Sequence, residues 1–222
     1  MYIIIVGLGG IGRNLTAISA YRGDSVVVID QDETKCNDIL EHYDVLAIAG
    51  DSTDSSILDD AGIDRAQSLV ATTSDDAVNL MTCWLAKRFK VPNVVSIVNQ
   101  KEHSALFKEV GVKISENPDE LVATRLYYWA ENPNMQQLAS IPGGTIFEVV
   151  AEEGAPIINH EIRELEVKNF VFIAIRRAGG ELIIPSGDVK IRPSDIITVF
   201  TKKEAEKECI TILNRQLKSP EP

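Results

Sequence analysis

A glycine-rich stretch near the start of the chain is the first group of residues whose types and spacing predict chemistry. Gly7, Gly9 and Gly12 follow the apolar run Tyr2–Val6 at the spacing G-x-G-x-x-G. This order predicts a strand, a tight turn and a helix, whose first free N–H groups and dipole can face a phosphate. The three glycines would allow the sharp turn, the approach of the backbone to a pyrophosphate, and close packing of helix on strand. The residues predicted to hold the pyrophosphate are Gly7, Leu8, Gly9, Gly10, Ile11 and Gly12.

A carboxylate stands where the ribose of a dinucleotide is expected. Asp30 ends the second strand candidate, Val26–Asp30, and a carboxylate at that place accepts hydrogen bonds from a ribose 2′,3′-diol. Asp30 would repel the 2′-phosphate of NADP, and no arginine follows it closely. NAD(H) is therefore the predicted dinucleotide. The alternative is a tight turn with a solvent-facing Asp30, because glycine is favoured in any such turn.

Hydroxyl and carboxylate side chains follow the third and fourth strand candidates, in "AGDST" and "ATTSDD". The carboxyl ends of parallel strands meet at one edge of the sheet, where ligands of open α/β sheets bind. Asp51 and Thr53 have an alternative role in capping or turning the chain, as Asp and Thr often do. The residues predicted to line the adenosine or ribose site are Asp51, Ser52, Thr53, Thr72, Thr73 and Ser74.

The side chains that catalysis would need are scattered. Hydride transfer requires an acid or base beside the nicotinamide, whereas His42, His103 and His160 lie on different predicted elements. The sequence contains no Tyr-x-x-x-Lys, zinc-ligand set or nucleophile elbow. We therefore predict no catalytic residue, no metal site and no enzymatic activity. A small NAD-dependent oxidoreductase with a divergent active site is the alternative.

The elements that must position these residues alternate along the first part of the chain. Short apolar segments typical of buried parallel strands alternate with amphipathic helical segments. The strand candidates are Ile3–Val6, Val26–Asp30, Val45–Ala49, Ser68–Thr72, Val94–Val98 and Val112–Ser115. The helix candidates are Ile11–Tyr21, Glu33–Tyr43, Ser55–Ala61, Asp75–Phe89, Glu102–Val110 and Pro118–Trp129. The predicted fold is α/β, a Rossmann-like doubly wound parallel sheet, because parallel neighbours need crossover connections.

The pattern changes after "ENPNMQQLASIPGG", where prolines and glycines interrupt the helical periodicity. We expect the helix Pro118–Trp129 and this segment to join two domains and to act as a hinge. Two domains are predicted, a nucleotide-binding domain over residues 1–136 and a small α+β module over 137–222. The elements predicted for the module are strands Thr145–Ala151, Phe170–Arg176 and Ile196–Phe200, a hairpin with Gly179-Gly180 at its tip, and a closing helix Lys203–Leu217.

Composition excludes several classes of function. The formal net charge of the 222 residues is -11, which argues against nucleic-acid binding and against attachment to anionic lipid. No apolar stretch approaches the ~20 residues of a membrane-spanning helix, so direct membrane insertion is not expected. The 3 cysteines are widely spaced and odd in number, and Met1 leads into a strand without a signal segment. We therefore expect a cytoplasmic protein.

The order of these motifs resembles the RCK nucleotide-binding domain, and most closely the TrkA-type cytosolic subunit of Trk/Ktr potassium-uptake systems. In the first part the resemblance rests on "IIIVGLGGIGRNLT", "VVVIDQDE", "AGDST", "SLVATTSDDAVNLMTCWLAKR" and "IVNQKEHSALFKEVGVKISENPDE". In the second part, "NHEIRELEV" and "IRRAGGELIIPSGDVKIRPSDIITVF" are similar to the TrkA-C module. The resemblance covers nearly the whole chain.

The resemblance implies regulation of transport. Subunits of this family bind NAD(H) or ATP/ADP in the Rossmann crevice, pair into homodimers and assemble into rings beneath a membrane-embedded potassium transporter. Carried over to this chain, it implies that the glycine loop holds the pyrophosphate, Asp30 the ribose, and Asp51 with Thr73 the rest of the nucleoside. It also implies a peripheral location at the inner face of the cell membrane, through the transporter. Whether the partner is an uptake transporter, a channel or an antiporter stays open.

Two positions depart from the family pattern. Ile97 stands where relatives often have arginine, which weakens the case for a cation there. Gly10 stands where some ATP-preferring relatives carry arginine, which favours a dinucleotide. Arg13 is the nearest cation to the loop, and at the start of a helix it can face solvent or a neighbouring subunit.

Overall fold

The computed structural model describes residues 1–112, 114–131, 134–165 and 169–213. The chain divides into two units, a first unit Met1–Leu121 and a second unit that begins at Val122. Each unit has its own β-sheet and its own hydrophobic core. A domain boundary after residue 136 is a more specific statement and stays a prediction.

The first unit contains a 6-stranded sheet in which every pair of neighbours is parallel. Its strands are β1 (Tyr2–Val6), β2 (Ser25–Asp30), β3 (Leu46–Ala49), β4 (Ser68–Ala71), β5 (Asn93–Ile97) and β6 (Ile114–Glu116). The α-helices that follow the strands are α1 (Gly10–Tyr21), α2 (Glu33–His42), α3 (Ser55–Asp60), α4 (Asp76–Arg88) and α5 (Ser104–Glu109). Helix α6 (Pro118–Glu131) begins in this unit and continues into the second. The strand order β3-β2-β1-β4-β5-β6 places a topological switch point between β1 and β4. The predicted doubly wound Rossmann-like sheet is confirmed.

Strand β1 shows why the segment is apolar throughout. Ile4 and Val6 pack in one hydrophobic cluster of the unit, and Ile3 and Ile5 pack in the other. Successive side chains of a strand point to opposite faces, and here both faces are covered. A strand buried on both sides needs apolar residues at every position, so the run at the start of the chain predicts this central place.

The helix starts follow the capping residues of the sequence. The Asp32 carboxylate accepts a hydrogen bond from the N–H of Thr34 at 2.9 Å at the start of α2. Asp75 accepts from the N–H of Ala77 at 2.7 Å at the start of α4. These bonds satisfy N–H groups that have no partner inside the helix. The starts of these helices, and therefore the positions of their first-turn side chains, are fixed by local chemistry.

The second unit contains a 5-stranded antiparallel sheet formed by β7 (Met135–Ile141), β8 (Gly144–Val150), β9 (Phe170–Arg176), β10 (Leu182–Ile183) and β11 (Ile196–Lys202). The strand order is β10-β9-β11-β8-β7. On the strand Ile196–Lys202, Ile197, Val199 and Thr201 are buried and alternate with half-buried neighbours. This alternation is typical of a sheet with its core on one face. The helix α7 (Glu206–Leu213) follows β11. The small α+β module is confirmed, and the predicted end of its last helix, residues 214–217, lies outside the described residues.

The predicted junction "ENPNMQQLASIPGG" is partly a strand. Residues Met135–Ile141 form β7 and pair with β8, a strand that is not among the predicted elements; Asn132 and Pro133 lie outside the described residues. The pairing register shifts between Gln137 and Ala139. Such a bulge inserts an extra residue and interrupts the alternation by which a strand is recognised in a sequence. Gly143, with φ 82°, makes the turn into β8.

Candidate functional site

The carboxyl ends of the parallel strands surround a cavity of about 480 Å³. It lies at the switch point between β1 and β4, where ligands of open α/β sheets bind. The predicted site residues that line this cavity are Gly7, Gly9, Gly10, Ile11, Asp30, Ser52, Thr72, Thr73 and Ser74. The predicted site residues that do not line it are Leu8, Gly12, Asp51 and Thr53. The structure therefore brings most of the predicted set, drawn from four separate segments, to one place.

The three glycines of the motif occupy three different environments. Gly7 has φ 92°, a left-handed conformation that favours glycine. A Cβ added to Gly12 would lie 1.8 Å from the carbonyl oxygen of Gly7, so the helix packs against the turn at this point. A Cβ added to Gly9 would have no atom within 4 Å. The turn and the packing contact are thus confirmed, while Gly9 presents open backbone to the cavity.

The Asp30 carboxylate is bonded to the glycine loop. Its Oδ2 accepts a hydrogen bond from the N–H of Leu8 at 2.6 Å, and its Oδ1 accepts from the N–H of Asp32 at 2.9 Å. The Leu8 side chain is buried in the core, so this residue contributes its backbone to the site. Each carboxylate oxygen has a second lone pair. Asp30 can therefore hold the loop and still accept a hydrogen bond from a ligand hydroxyl.

A cation lies beside Asp30 that the sequence did not single out. Lys35 Nζ is 3.6 Å from Asp30 Oδ1, and Lys35 lines the cavity. It belongs to the first turn of α2, which begins after the cap Asp32 and brings the ammonium back towards the end of β2. Because an ammonium attracts phosphate, Lys35 opposes the repulsion that Asp30 would exert on a 2′-phosphate.

The "AGDST" turn brings Ser52 to the cavity but not its two neighbours. Asp51 Oδ1 accepts hydrogen bonds from the N–H of Thr53 at 2.9 Å and from its hydroxyl at 2.8 Å. These two bonds lower the pKa of Asp51 below its ordinary value. This geometry corresponds to the chain-turning alternative. A ligand contact by Asp51 or Thr53 stays a prediction without support from the cavity lining.

The "ATTSDD" turn is tied to the glycine loop through its first hydroxyl. Thr72 Oγ1 is 2.9 Å from the carbonyl oxygen of Val6 and 3.0 Å from that of Gly7, so it donates its proton to these acceptors. Thr73 and Ser74 follow at the rim. The Thr72 hydroxyl therefore fixes the end of β4 against the turn that follows β1.

Part of the cavity wall comes from residues that the motifs did not indicate. Ile97 is the last residue of β5 and Asn99 follows the strand, and the Asn99 amide donates a hydrogen bond to Asp76 Oδ1 at 2.9 Å. The rule that marked the ends of β3 and β4 applies equally to β5, and could have found Asn99. The lining residues outside the predicted set are Val6, Ile29, Gln31, Lys35, Gly50, Asp75, Val78, Ile97, Asn99, Pro118 and Asp119.

The described part of the cavity wall contains no histidine, tyrosine or cysteine. His103 instead has its Nδ1 2.8 Å from Asp76 Oδ2. Over the described residues, no group of three or more His, Cys, Asp or Glu side chains has a metal-binding arrangement. Among the helices that the structure describes, none combines the length and the apolar character needed to cross a membrane.

Comparison with protein families gives two matches. The TrkA-N domain matches residues 3–118 and the TrkA-C domain matches residues 146–213. The Trk system potassium uptake protein TrkA homolog of Methanothermobacter thermautotrophicus is 29% identical over 219 residues, which cover 94% of this chain and 97% of that protein. The protein of the same name from Pyrococcus horikoshii is 28% identical, with 98% and 99% covered. Against the TrkA protein of Azorhizobium caulinodans, at 25% identity, this chain spans 44% of the longer protein.

Two solved structures with a similar fold are complexes with nucleotides. The GsuK channel bound to NAD aligns with a TM-score of 0.66 at 18% identity, over 98% of this chain and 40% of that one. GsuK bound to ADP aligns with a TM-score of 0.52 at 20% identity, over 60% of this chain and 35% of that one. At such identities the likeness shows the fold alone.

Proposed function

The chain belongs to the TrkA-N domain family, and on that premise we propose that it is a cytosolic regulatory subunit that binds NAD(H) or an adenine nucleotide and thereby gates a membrane potassium-uptake transporter. The observation that carries the proposal is the cavity at the switch point, which both the open backbone of Gly9 and the Asp30 carboxylate line. A phosphate needs free N–H groups at a helix start, and a ribose needs an acceptor for its hydroxyls. Both are present within one cavity.

The ligand class follows from the shape of this site and from the family. The pyrophosphate would lie against the loop Gly7–Gly12, and the ribose against Asp30. The cavity continues from there past Thr73 to Asn99, which gives room for the second half of a dinucleotide. The NAD-bound and ADP-bound GsuK structures support both kinds of ligand. We infer that NAD(H) is the preferred ligand and that ADP or ATP can occupy part of the same site.

The role of the bound nucleotide is regulatory in this proposal. The described cavity wall lacks histidine, tyrosine and cysteine, and the curated relatives are named as potassium uptake proteins. We therefore infer that the site holds its ligand without transforming it. The alternative of a divergent oxidoreductase would require a turnover that depends on a residue of this cavity.

The partner and the assembly are inferred from the family. We infer that the chain forms homodimers that assemble into a ring, and that the ring lies at the inner face of the cell membrane on an integral-membrane potassium transporter. We also infer that residues 1–136 act as the nucleotide-binding domain and residues 137–222 as a module for assembly or a second ligand.

Gating requires that the nucleotide bind two states of the assembly with different affinity. A shift from 1:99 to 99:1 needs about 5.5 kcal/mol of differential binding in total. A ring of subunits that change state together can sum smaller contributions from each site. One nucleotide per subunit is therefore sufficient for a switch.

The test combines binding and transport. The full chain is titrated calorimetrically with NADH and ADP, and potassium flux through the reconstituted transporter is measured with and without NADH. The matched variant is Gly9→Val, because a side chain there has space in the fold but would stand where the pyrophosphate must approach. We expect the parent to bind and to change the flux, and the variant to do neither. An equal response of flux in both proteins would show that this cavity is not the control site.

A further inference from the structure

Helix α4 buries three polar side chains along one face. Asp76, Asn79 and Thr82 follow one another about one helical turn apart, and none is more than 8% exposed. Burial of polar groups is unfavourable unless they are hydrogen-bonded. The partners of these three residues therefore show what this face of the helix holds in place.

Thr82 holds the wall of the cavity that follows β3. Its Oγ1 lies 2.7 Å from Ser52 Oγ, and both hydroxyls are buried. Ser52 lines the cavity, in the turn whose other polar residues are engaged with one another. The Thr82 hydroxyl is thus a direct link between α4 and the polar residue of this turn that lines the cavity.

Asn79 holds the wall that follows β4. Its Oδ1 accepts hydrogen bonds from the N–H of Thr73 at 3.0 Å and from its hydroxyl at 2.7 Å. Its Nδ2 donates to the carbonyl oxygen of Thr73 at 2.9 Å. One buried amide thus engages the N–H, the carbonyl and the hydroxyl of a cavity residue, which fixes the direction of that residue.

Asp76 holds the wall that follows β5. Its carboxylate accepts hydrogen bonds from the N–H of Asn99 at 2.8 Å and of Gln100 at 2.9 Å, besides the Asn99 amide and the His103 ring. Burial alone would raise the pKa of Asp76, but these hydrogen bonds lower it below the ordinary value. The ionised carboxylate is therefore the form that holds Asn99 at the cavity.

We propose that Asp76, Asn79 and Thr82 are positioning residues that shape the nucleotide site from a single helix, and that Asp76 and Thr82 act on different parts of the ligand. The inference rests on the proposed nucleotide binding. The strand order places the part of the cavity that Ser52 lines, called the Ser52 wall, on the β2–β3 side of the switch point together with Asp30. It places the part that Asn99 lines, called the Asn99 wall, on the β5 side. A mononucleotide with its ribose at Asp30 meets the Ser52 wall only. A dinucleotide that crosses the switch point meets both walls.

The experiment compares two ligands on the same variants of the full chain. Asp76→Asn keeps the size of the side chain but replaces one of the two acceptor oxygens by an N–H2 group, so that the backbone N–H of Asn99 or of Gln100 loses its acceptor. When a cavity residue loses the hydrogen bond that positions it, the affinity for a ligand that contacts this residue falls about threefold to tenfold. We expect Asp76→Asn to weaken NADH binding by that factor and to leave ADP binding within about twofold of the parent, since ADP does not reach the Asn99 wall.

Thr82 offers a matched pair. Thr82→Val removes the hydroxyl and keeps the shape, whereas Thr82→Ser keeps the hydroxyl. We expect Thr82→Val to weaken NADH and ADP by a similar factor, about threefold or more, and Thr82→Ser to restore most of the affinity for both ligands. The ratio of the two affinities in one sample does not depend on the fraction of competent protein, because that fraction lowers both apparent affinities equally. In Asp76→Asn a general loss of stability would therefore leave this ratio unchanged, whereas a loss confined to the Asn99 wall changes it. For Thr82, whose variants change both affinities together, recovery in Thr82→Ser is the deciding result.

The possible outcomes test the positioning role and the proposed nucleotide binding separately. An equal loss for NADH and ADP in Asp76→Asn, or no loss for either, would overturn the positioning role. Failure of Thr82→Ser to recover what Thr82→Val loses would overturn the role of that hydroxyl. A parent protein that binds neither ligand would refute the proposed function itself, and this inference with it.

Discussion

The two units of the chain put their polar residues to different uses. In the first unit the strands run parallel, so the turns after them meet at one edge, and the buried Ser52 and Thr72 converge on one cavity. In the second unit the neighbours run antiparallel, and successive turns fall at opposite ends of the sheet. Buried Asp195 there accepts a hydrogen bond from the N–H of Arg192 at 2.9 Å and closes the turn before β11.

The difference shows how strand direction decides where chemistry can gather. A parallel sheet collects the carboxyl ends of its strands and the starts of its helices at the same edge. An antiparallel sheet distributes its turns, and its polar residues mostly satisfy local backbone groups. Substitutions in the second unit should therefore change stability without changing nucleotide affinity, whereas substitutions at the edge of the first unit should change affinity.

The largest effect is expected in the core of the second unit. Phe147 is fully buried there, and Phe147→Ala should lower the free energy of unfolding of that unit by about 3–5 kcal/mol, through lost burial and a residual cavity. Denaturant unfolding followed by circular dichroism measures this. Ile184→Ala, at a side chain 86% exposed, is the control. NADH affinity under folding conditions should equal that of the parent, and a parallel loss of affinity would break the comparison.

The next effect belongs to the glycine loop of the first unit. Gly12→Ala places a Cβ 1.8 Å from a backbone oxygen of Gly7, which the fold cannot avoid without moving the turn. We expect a destabilisation of about 3 kcal/mol, at the upper end for overpacking, together with loss of NADH binding. Gly10→Ala is the matched control, because a Cβ there has no neighbour within 4 Å. Equal melting curves for the two variants would contradict the packing role.

A third substitution separates affinity from stability within the same loop. Gly9→Val has space in the fold, so its unfolding free energy should stay within about 0.5 kcal/mol of the parent. Its affinity for NADH should fall on the order of 100-fold, about 2.7 kcal/mol, because the side chain blocks the pyrophosphate. Gly9→Ala should lie between parent and Gly9→Val in calorimetric titrations. Unchanged affinity in both would remove Gly9 from the site.

The smallest effect concerns the 2′-position of the ribose. Asp30 disfavours a 2′-phosphate and Lys35 partly offsets it, since the two groups are 3.6 Å apart. We expect NADH to bind about tenfold more tightly than NADPH, about 1.4 kcal/mol. Lys35→Gln should widen this preference, and Lys35→Arg should preserve or narrow it. Titration of both cofactors with all three proteins decides the matter, and equal or tighter NADPH binding in the parent would remove Asp30 as a discriminating residue.

Much of the first unit was determined by local sequence. Apolar runs such as Ile3–Val6 predict strands buried on both faces, and carboxylates such as Asp32 and Asp75 predict the helix starts. The turn at Gly7 and the packing at Gly12 also follow from their spacing. These features depend on neighbours within one strand or one helical turn, so their physical causes can be read from a short stretch of residues.

Other features were decided only by the tertiary structure. Ser52 rather than Asp51 reaches the cavity. The hydrogen-bond partner of Ser52 is Thr82, which lies on α4, 30 residues further along the chain. Lys35 becomes a cavity residue because α2 returns across the end of β2. The register shift in β7 depends on its pairing with β8. The Ser52–Thr82 contact joins positions 30 residues apart, whereas Lys35 and β7 have partners close to them in the chain. In all three cases the direction of a side chain or the register of a strand pair is set by packing that no local pattern of residues encodes.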